Sequence, residues 1–171
     1  SPASTLLFRQ AANEGRDALN HEELRILLSG LQLDFAPHEA RPPPAVELRF
    51  CLDNTREFGM VISAGSGGLE AELAEGNFRQ DRASVHAVTE LVDADGFLLQ
   101  FKRTLAYQKL AASARRSGVS VPDAPLKTCF EKLLSLASSL MQSGAQSSFE
   151  LVRLELNPVQ SEQGLLVRSA H

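Results

Sequence analysis

The stretch that decides the fold runs from Val46 to Gly68 and reads V-E-L-R-F-C-L-D-N-T-R-E-F-G-M-V-I-S-A-G-S-G-G. In its first half, apolar residues at 46, 48, 50 and 52 alternate with other residues, which is the period of a strand with one buried face. Asp53-Asn54-Thr55 is a turn signal, and Gly59 to Ser63 predicts the antiparallel partner strand. The stretch therefore predicts a β-hairpin that leads directly into a glycine-rich loop.

Downstream of this hairpin, we predict three helices and two further strands. Helical patterning indicates helices over about residues 83–92, 97–114 and 126–141. Two short strands, 149–156 and 165–168, are expected to be joined through Asn157-Pro158. The mixture of helices with antiparallel hairpins predicts the α+β (mixed α/β) class, with a central, mostly antiparallel sheet flanked by helices.

Upstream of the hairpin, the pattern predicts a helix over residues 5–19 and a second helix after Asn20. Asn20 can cap free backbone amides, and Glu23 completes a capping box. Gly30 occupies the place of a left-handed helix terminator. Alternation over residues 31–35 then predicts a strand.

A proline-rich segment separates this amino-terminal piece from the rest of the chain. Pro42, Pro43 and Pro44 lack amide donors and favour an extended polyproline conformation. We therefore divide the chain into an amino-terminal helical and strand piece (1–36), a proline-rich connector (37–44) and a main lobe (45–171).

The composition of the 171-residue chain excludes several classes of function. A net charge of −4 and dispersed cations, with Lys102-Arg103 and Arg115-Arg116 as the densest pairs, predict no nucleic-acid partner. Cys51 and Cys129 do not make a disulfide framework, and the four histidines lack the spacing of zinc ligands. No apolar run is long enough to span a membrane and no signal peptide is visible, so we expect no membrane partner and a cytoplasmic location.

Three stretches, taken in order, carry a resemblance to a known family. Glu47–Gly65 combines a strand, a short turn and a glycine-containing strand; Gly65–Arg79 contains a glycine loop, acidic residues and a Phe-Arg pair; residues 155–159 read E-L-N-P-V. Together they resemble the ATP-grasp domain of the ADP-forming acyl-CoA synthetases, the succinyl-CoA synthetase-like family, in which corresponding segments read FGPVLMFGLGG and EINPL. The resemblance implies an ATP-grasp-like carboxy-terminal lobe over residues 45–171.

The resemblance also implies an activity. An enzyme of this family forms an acyl-CoA from a carboxylic acid and CoA with ATP and Mg²⁺, through an acyl phosphate and a phosphohistidine. The implied partners are a small carboxylic acid, CoA as co-substrate, and a CoA-binding domain or subunit. The chain would be part of a larger acid–CoA ligase and is expected to be inactive by itself.

Particular residues acquire roles from the resemblance. Glu155 would be the catalytic residue near the phosphoryl-transfer centre, and Asn157 and Glu72 would bind the metal. The residues implied in phosphate binding are Gly65, Gly67, Gly68 and Arg79. The physical chemistry agrees, because residues two apart on a strand share a face, Mg²⁺ prefers oxygen ligands, and glycine lets the backbone approach a phosphate closely.

Most of these residues also have plain structural interpretations. Glu155 could be a solvent-facing strand residue, Asn157 could start an Asn-Pro turn, and the glycines 65–68 could form an ordinary turn. Glu72 could belong to a solvated helix start, and Arg79 could form a surface salt bridge.

Three other residues are assigned structural roles. His86 is expected on an amphipathic helix, as a surface or packing histidine, and Tyr107 is expected to pack. Cys51 has no local base, so we do not expect it to be a nucleophile.

Two departures from the family pattern bear on activity. Only the connector lies where the family carries a lid subdomain with a phosphate-holding lysine. Residues 165–171 contain no carboxylate, whereas the family has an aspartate there as the second Mg²⁺ ligand. Two acceptors, one of them a neutral amide, make a poor magnesium site. A displaced carboxylate such as Glu162 could substitute, but nothing in the sequence argues for it.

Two further hypotheses follow from these departures. The chain could be a degenerate, non-catalytic ATP-grasp-derived domain used for assembly or regulation. It could also be an unrelated mixed domain, which a large spatial separation of residues 155 and 157 from the glycine loop would support.

Overall fold

The architecture is an antiparallel sheet with helices packed against one of its faces. The computed structural model describes residues 7, 10, 13–15, 20–30, 48–66, 84–116, 118, 120–143, 153–161 and 164–170. In chain order the elements are α1 (His21–Gly30), β1 (Leu48–Thr55), β2 (Gly59–Ser66), β3 (Ser84–Val88), a 3-10 helix (Thr89–Leu91), α2 (Ala94–Phe101), α3 (Leu105–Arg116), α4 (Asp123–Ser143), β4 (Arg153–Ser161) and β5 (Gly164–Ala170). The predicted α+β class is confirmed.

The five strands form one sheet in the order β3-β2-β1-β4-β5, and every neighbouring pair is antiparallel. The predicted hairpin forms its centre, with β1 paired to β2 along its whole length from Leu48 opposite Ser66 to Thr55 opposite Gly59. β1 lies in the middle of the sheet because it also pairs with β4, which comes from the far end of the chain.

The hairpin turn lies three residues later than the sequence predicts. Asp53 to Thr55 still belong to β1, and residues 56–58 make the turn. The Thr55 hydroxyl donates to the carbonyl of Gly59 (2.9 Å) and accepts from the amide of Phe58 (3.1 Å). Gly59 has φ +72°, a left-handed conformation that glycine adopts without strain. The prediction was wrong because it weighed residue types and not these local hydrogen bonds.

The main core lies between the helices and one face of the sheet. Alternate residues of β1 and β2 supply the sheet side, and all of them are at most 3% exposed: Leu48, Phe50, Leu52, Met60, Ile62 and Ala64. Phe130 of α4 is central, with its ring centroid 4.8 Å from that of Phe97, 5.1 Å from Phe50 and 5.7 Å from Phe101. This packing holds the strands in register and leaves their other residues to the opposite face.

One of the predicted helices is divided in two. The helix predicted over 97–114 is two helices, because α2 ends at Phe101 and α3 begins at Leu105. Buried Thr104 sits between them, and its hydroxyl donates to the carbonyl of Phe101 (2.7 Å) and accepts from the amide of Tyr107 (3.2 Å). Thr104 therefore caps α3. The helix predicted over 126–141 is confirmed within α4.

The helix predicted over residues 83–92 is wrong. Ser84–Val88 forms β3, paired with β2, and Thr89–Leu91 forms a 3-10 helix. The segment S-V-H-A-V has the alternation and the valines of a strand, yet it is too short for its period to be distinguished from helical spacing. Pairing with the edge of β2 decides the outcome.

The turn predicted at Asn157-Pro158 is also wrong. Both residues lie inside β4, which continues to Ser161, and the β4–β5 register shifts between them. Pairing between β1 and β4 ends at Phe50 opposite Leu156, so Pro158 lies beyond the residues that pair with β1. A proline without an amide donor is tolerated at such a bulge.

The amino-terminal piece is described in part. Asn20 and Glu23 form the predicted capping box: the Glu23 amide donates to Asn20 Oδ1 (2.9 Å) and the Asn20 amide donates to Glu23 Oε1 (3.0 Å). Gly30 is the last residue of α1 and not a residue beyond it. Leu7 and Leu24 pack against the main core.

Other predictions for this piece lie mostly outside the described residues. Of the helix predicted over 5–19, residues 7, 10 and 13 are helical. The predicted strand 31–35 and the connector 37–44 are not among the residues described.

Candidate functional site

The face of the sheet opposite the helices is mainly polar. Residues that face each other across antiparallel strands share one side of the sheet, and side chains alternate along each strand. The strand pairing therefore assigns these described residues to the second face: Arg49, Cys51, Asp53, Val61, Ser63, Gly65, Ser84, His86 and Val88. We call this surface the polar face.

One row of the polar face crosses four strands. Cys51 of β1 lies opposite Ser63 of β2 on one side and Glu155 of β4 on the other, and Ser63 lies opposite His86 of β3. Neighbouring strands are about 4.8 Å apart, so the backbone of His86 is about 14 Å from that of Glu155. The row places the predicted catalytic residue on the polar face.

The next row brings two predicted motifs together. Arg49 lies opposite Gly65, the first glycine of the glycine-rich segment. Asn157 shares the face of Glu155 and lies one residue beyond the last registered pair of β1 and β4, Phe50 with Leu156. Gly65 and Asn157 are therefore two strands apart, about 10 Å between their backbones, with Arg49 between them. A large distance between residues 155 and 157 and the glycine loop would have supported an unrelated domain. For Gly65, the first glycine of that loop, no such distance is found.

Asn157 also occupies a special position along β4. It lies opposite Ser169 of β5, and the register shift follows immediately, before Pro158. A bulge increases local twist and re-aims the residues beside it, and bulges are frequent next to active sites. The Asn-Pro step therefore combines a strand position on the polar face with a local break in pairing.

The predicted site residues divide into two groups. Glu155 and Asn157 lie on β4 and Gly65 lies near the end of β2, all on the polar face. Gly67, Gly68, Glu72 and Arg79 lie outside the described residues. The roles assigned to all seven stay predictions.

Sequence reasoning did not assign a role to Arg49, Ser63 or Ser84. Arg49 is half-buried and holds the cationic position between Gly65 and Asn157. The sequence did contain a signal that could have marked Arg49 as a functional residue. Arg49 lies between the core residues Leu48 and Phe50, so it projects from the opposite face of the strand, and its guanidinium carries a charge. What the sequence lacked was the strand order that sets Arg49 between the two motifs.

The three residues given structural roles have mixed outcomes. His86 lies on β3 and not on a helix; it is exposed, and its Nε2 is 3.1 Å from the hydroxyl of Ser84. Cys51 is 3% exposed and has no disulfide, so its thiol is shielded from solvent.

Tyr107 packs as predicted, with its ring centroid 5.9 Å from that of Phe101. Its hydroxyl also donates to Asp123 (2.7 Å), whose other carboxylate oxygen lies 3.0 Å from Lys102 Nζ. Burial, followed by the hydrogen bond and charge of Asp123, raises the pKa of Tyr107 to about 12. This cluster lies among the helices, away from the polar face.

The chemistry of the donors fits a hard cation in part. Within the described ranges, no three or more His, Cys, Asp or Glu residues are grouped so as to hold a metal ion. Glu155 and Asn157 provide a carboxylate and an amide on one strand face, the oxygen types that Mg²⁺ prefers. Glu162, the proposed substitute carboxylate, lies outside the described residues.

The fold matches solved structures of acetyl-coenzyme A synthetase chains. The dinucleotide-forming acetyl-coenzyme A synthetase 1 of Ca. Korarchaeum cryptofilum, solved with coenzyme A and Mg-AMPPCP, superimposes with a TM-score of 0.67 at 18% identity, covering 98% of this chain and 97% of that one. Its apo form gives a TM-score of 0.68 at 16% identity, with the same coverage of both chains. The chain therefore has the fold seen in these synthetase chains.

A second solved structure matches a smaller part. PH1788 from Pyrococcus horikoshii Ot3 superimposes with a TM-score of 0.56 at 14% identity, covering 76% of this chain and 48% of that one. No protein-family profile and no curated protein sequence matches the chain. At these identities the likeness shows the fold, while substrate and activity require an argument from the residues.

Among the residues that the structure describes, none of the helices is both long enough and apolar enough to cross a bilayer.

Proposed function

We propose that this chain is the ATP-grasp lobe of an ADP-forming acyl-CoA synthetase and that its polar face receives the phosphates of Mg-ATP. The observation that carries the proposal is the strand register. It pairs Gly65 with Arg49 and brings Asn157 one residue beyond the last pair of β1 and β4, although these residues come from both ends of the main lobe. A sheet that served only to pack against the helices would not require these three residues close together on its other face.

The residues of this row have complementary chemistry. Phosphoryl transfer requires that the negative charge spread over the transferred group be neutralised, chiefly by cations and fixed donors. Arg49 supplies a permanent positive charge, and Gly65 allows close approach of the backbone. Asn157 would help to hold Mg²⁺, which supplies further charge neutralisation when bound, and Glu155 would lie near the phosphoryl-transfer centre. In this proposal Glu155 is the catalytic residue and Asn157 a metal ligand.

The remaining predicted residues fit the same proposal. Gly67, Gly68 and Arg79 would continue the phosphate contacts along the chain from Gly65, and Glu72 would add a carboxylate to the metal site. The whole enzyme would join a small carboxylic acid to CoA in the cytoplasm, with a CoA-binding domain or subunit as partner. This chain alone is expected not to complete that reaction.

A non-catalytic role is the second candidate, and one observation favours it. Residues 165–171 contain no carboxylate, so β5 does not supply the second acidic ligand that the resemblance requires. A lobe with a weakened metal site could be retained for assembly or regulation. Against this role stands the polar face itself, since assembly does not require a glycine, an arginine and an asparagine in one row.

Isothermal titration of the purified chain with Mg-ATP and Mg-ADP tests the proposal. We expect saturable, magnesium-dependent binding that Asn157→Ala weakens about tenfold or more, equivalent to about 1.4 kcal/mol. Arg49→Gln should weaken binding with and without Mg²⁺, because it removes a charge and not a metal ligand.

Gln108→Ala is the matched control, because Gln108 is exposed on α3, away from the polar face. Absence of binding at millimolar nucleotide would favour the non-catalytic role. Binding that is unchanged in Asn157→Ala and Arg49→Gln would place the nucleotide elsewhere and contradict the proposal.

A further inference from the structure

Helix α2 presents a stripe of unlike residues on the side away from its buried face. Ala94, Phe97, Leu98 and Phe101 point into the core. Asp95, Leu99 and Arg103 are exposed and follow one another at intervals of four residues, so they lie along one side of the helix. The amide of Arg103 donates to the carbonyl of Gln100 (3.1 Å), so the helical path continues to this residue.

The stripe has a charge at each end and a leucine in its middle. Asp95 precedes Leu99 by four residues and Arg103 follows it by four, which places each charge about 6 Å from Leu99 along the helix axis. Leu99 is 65% exposed. An acid and a base at equal distances on either side of an apolar centre form a self-complementary pattern.

The flanking segments extend this pattern. Glu90 and Asp93, both exposed, lie on the acidic side. On the other side, no acidic residue occurs from Gly96 to Pro122, a stretch that contains five cations in a chain of net charge −4. Acidic residues therefore predominate on the Asp95 side and cations on the Arg103 side, although Lys127 pairs with Asp95 and Asp123 pairs with Lys102.

Two more exposed leucines border the stripe. Leu91, just before α2, is 84% exposed, and Leu105, at the start of α3, is 42% exposed. Large apolar side chains that are scattered singly are ordinary, but the three leucines lie within fifteen residues along the chain, and such a concentration favours a contact surface.

We propose that this surface pairs with the same surface of a second copy of the chain, with the two α2 helices antiparallel about a two-fold axis near Leu99. In this arrangement Leu99 contacts its equivalent, and Asp95 of each copy faces Arg103 of the other. A two-fold contact uses the same patch twice, so a self-complementary patch is what it requires. The proposal is independent of the proposed nucleotide site, because the surface lies on the helical side of the sheet.

The observations favour a second copy over a polyanion. Nucleic acid or an anionic lipid surface would be attracted by the cations on the Arg103 side and repelled by Glu90, Asp93 and Asp95. A second copy satisfies both sides at once. The ion pair between Asp95 and Lys127 (3.0 Å) does not prevent this, since the Asp95 side chain is still 71% exposed and can meet a second cation.

The size of the patch sets the strength of the pairing. Helix α2 has eight residues and is about 12 Å long, so the contact belongs to the small, transient class of interfaces below about 1,200 Å². The charged pairs are at its rim and are screened by salt. We therefore expect a weak dimer that dissociates as ionic strength rises.

Sedimentation velocity of the full chain measures this directly. At about 0.5 mM protein, a concentration suited to a weak interface, and low salt, we expect concentration-dependent dimerisation that is reduced in high salt. Leu99→Asp should raise the dimer dissociation constant at least tenfold. Ile26→Asp is the matched control, since Ile26 is 52% exposed on α1 and should leave dimerisation unchanged.

Charge reversal provides the sharper test. Asp95→Arg alone and Arg103→Glu alone should each lose dimerisation, because like charges then face each other at both ends. A mixture of the two single variants should form a heterodimer, and the double variant should dimerise again. Circular dichroism melting of each variant identifies any that fail to fold. If Asp95→Arg fails to fold, Arg103→Glu alone provides the test, because Arg103 lies outside α2.

Three results would overturn the proposal. A wild-type chain that stays monomeric at the highest concentration would exclude it, as would equal effects of Leu99→Asp and Ile26→Asp. Salt-sensitive binding of a fluorescent oligonucleotide that Arg103→Glu abolishes, with the protein monomeric throughout, would assign the surface to a polyanion.

Discussion

The two faces of the sheet are made by alternate residues of the same strands, yet they differ in almost every property. On the helix side, the residues of β1 and β2 that enter the core are apolar and at most 3% exposed. On the polar face, the neighbours of those residues include Arg49, Ser63 and His86, which are half-buried or exposed. One strand thus contributes to two different surfaces, because its period of two places successive side chains on opposite faces of the sheet.

The two faces are therefore expected to contribute differently to the free energy of folding and to ligand binding. Burying a large apolar side chain stabilises the folded state by about 1.5–3 kcal/mol, whereas polar groups that exchange water for protein partners contribute little net free energy. Mutations on the helix side should therefore affect stability, and mutations on the polar face should affect binding. Four expected results test this division, in order of decreasing effect.

Phe130→Ala should have the largest effect. Its ring lies within 5.7 Å, centroid to centroid, of three other phenylalanine rings, and its removal leaves a cavity bordered by both helices and sheet. We expect a loss of about 3–5 kcal/mol in the free energy of unfolding. Urea denaturation followed by circular dichroism measures it. Met141→Ala, on the exposed side of α4, is the control, and equal losses for the two would refute the central role of Phe130.

Ile62 and Ser63 compare the two faces at adjacent positions. Ile62 is fully buried against the helices, and Ser63 lies on the polar face between Cys51 and His86. Ile62→Ala should cost about 2–4 kcal/mol in the free energy of unfolding. Ser63→Ala should change it by no more than about 0.5 kcal/mol. Similar costs in the same denaturation experiment would mean that both faces are packed alike.

Tyr107 tests the helical layer through its pH dependence. Its pKa is raised to about 12 by burial and by Asp123, against about 10 in an unfolded chain. A raised pKa means that the stabilisation is complete below about pH 10 and is lost as the pH rises through about 12. Tyr107→Phe should therefore cost about 1 kcal/mol at neutral pH, from the lost hydrogen bond, and progressively less above pH 10.

The titration of Tyr107 can be observed directly. It is the only tyrosine of the chain, and there is no tryptophan, so the near-ultraviolet absorbance of tyrosinate reports this residue alone. Asp123→Asn should lower the midpoint while leaving the contribution of burial. A folded-state midpoint near 10 in the wild type would contradict the hydrogen-bonded arrangement.

Glu155→Gln and Asn157→Ala should have the smallest effect on stability. The proposal assigns these residues to ligand binding, so the free energy of unfolding should change by no more than about 0.5 kcal/mol while nucleotide binding weakens. Parallel denaturation and titration separate the two effects. A large loss of stability with unchanged binding would show that the polar face is structural at β4.

By itself, the sequence determined the features that depend on neighbouring residues. Alternation in 46–52 predicted β1 and the division of its residues between two faces, and the Asn20–Glu23 spacing predicted the capping box that the structure contains. The stripe of α4 likewise predicted a helix. These features are encoded locally, because hydrophobic period and capping act within a few residues.

Tertiary structure decided what depends on distant partners. Ser84–Val88 forms a strand because it pairs with the edge of β2. Asn157-Pro158 remains within β4 because the pairing with β5 continues after a register shift at this step. The row of Gly65, Arg49 and Asn157 exists only because β1 pairs with both β2 and β4. Strand order brings residues about ninety positions apart within about 10 Å, and no local pattern specifies such pairing, because it is selected by the packing of the whole sheet against its helices.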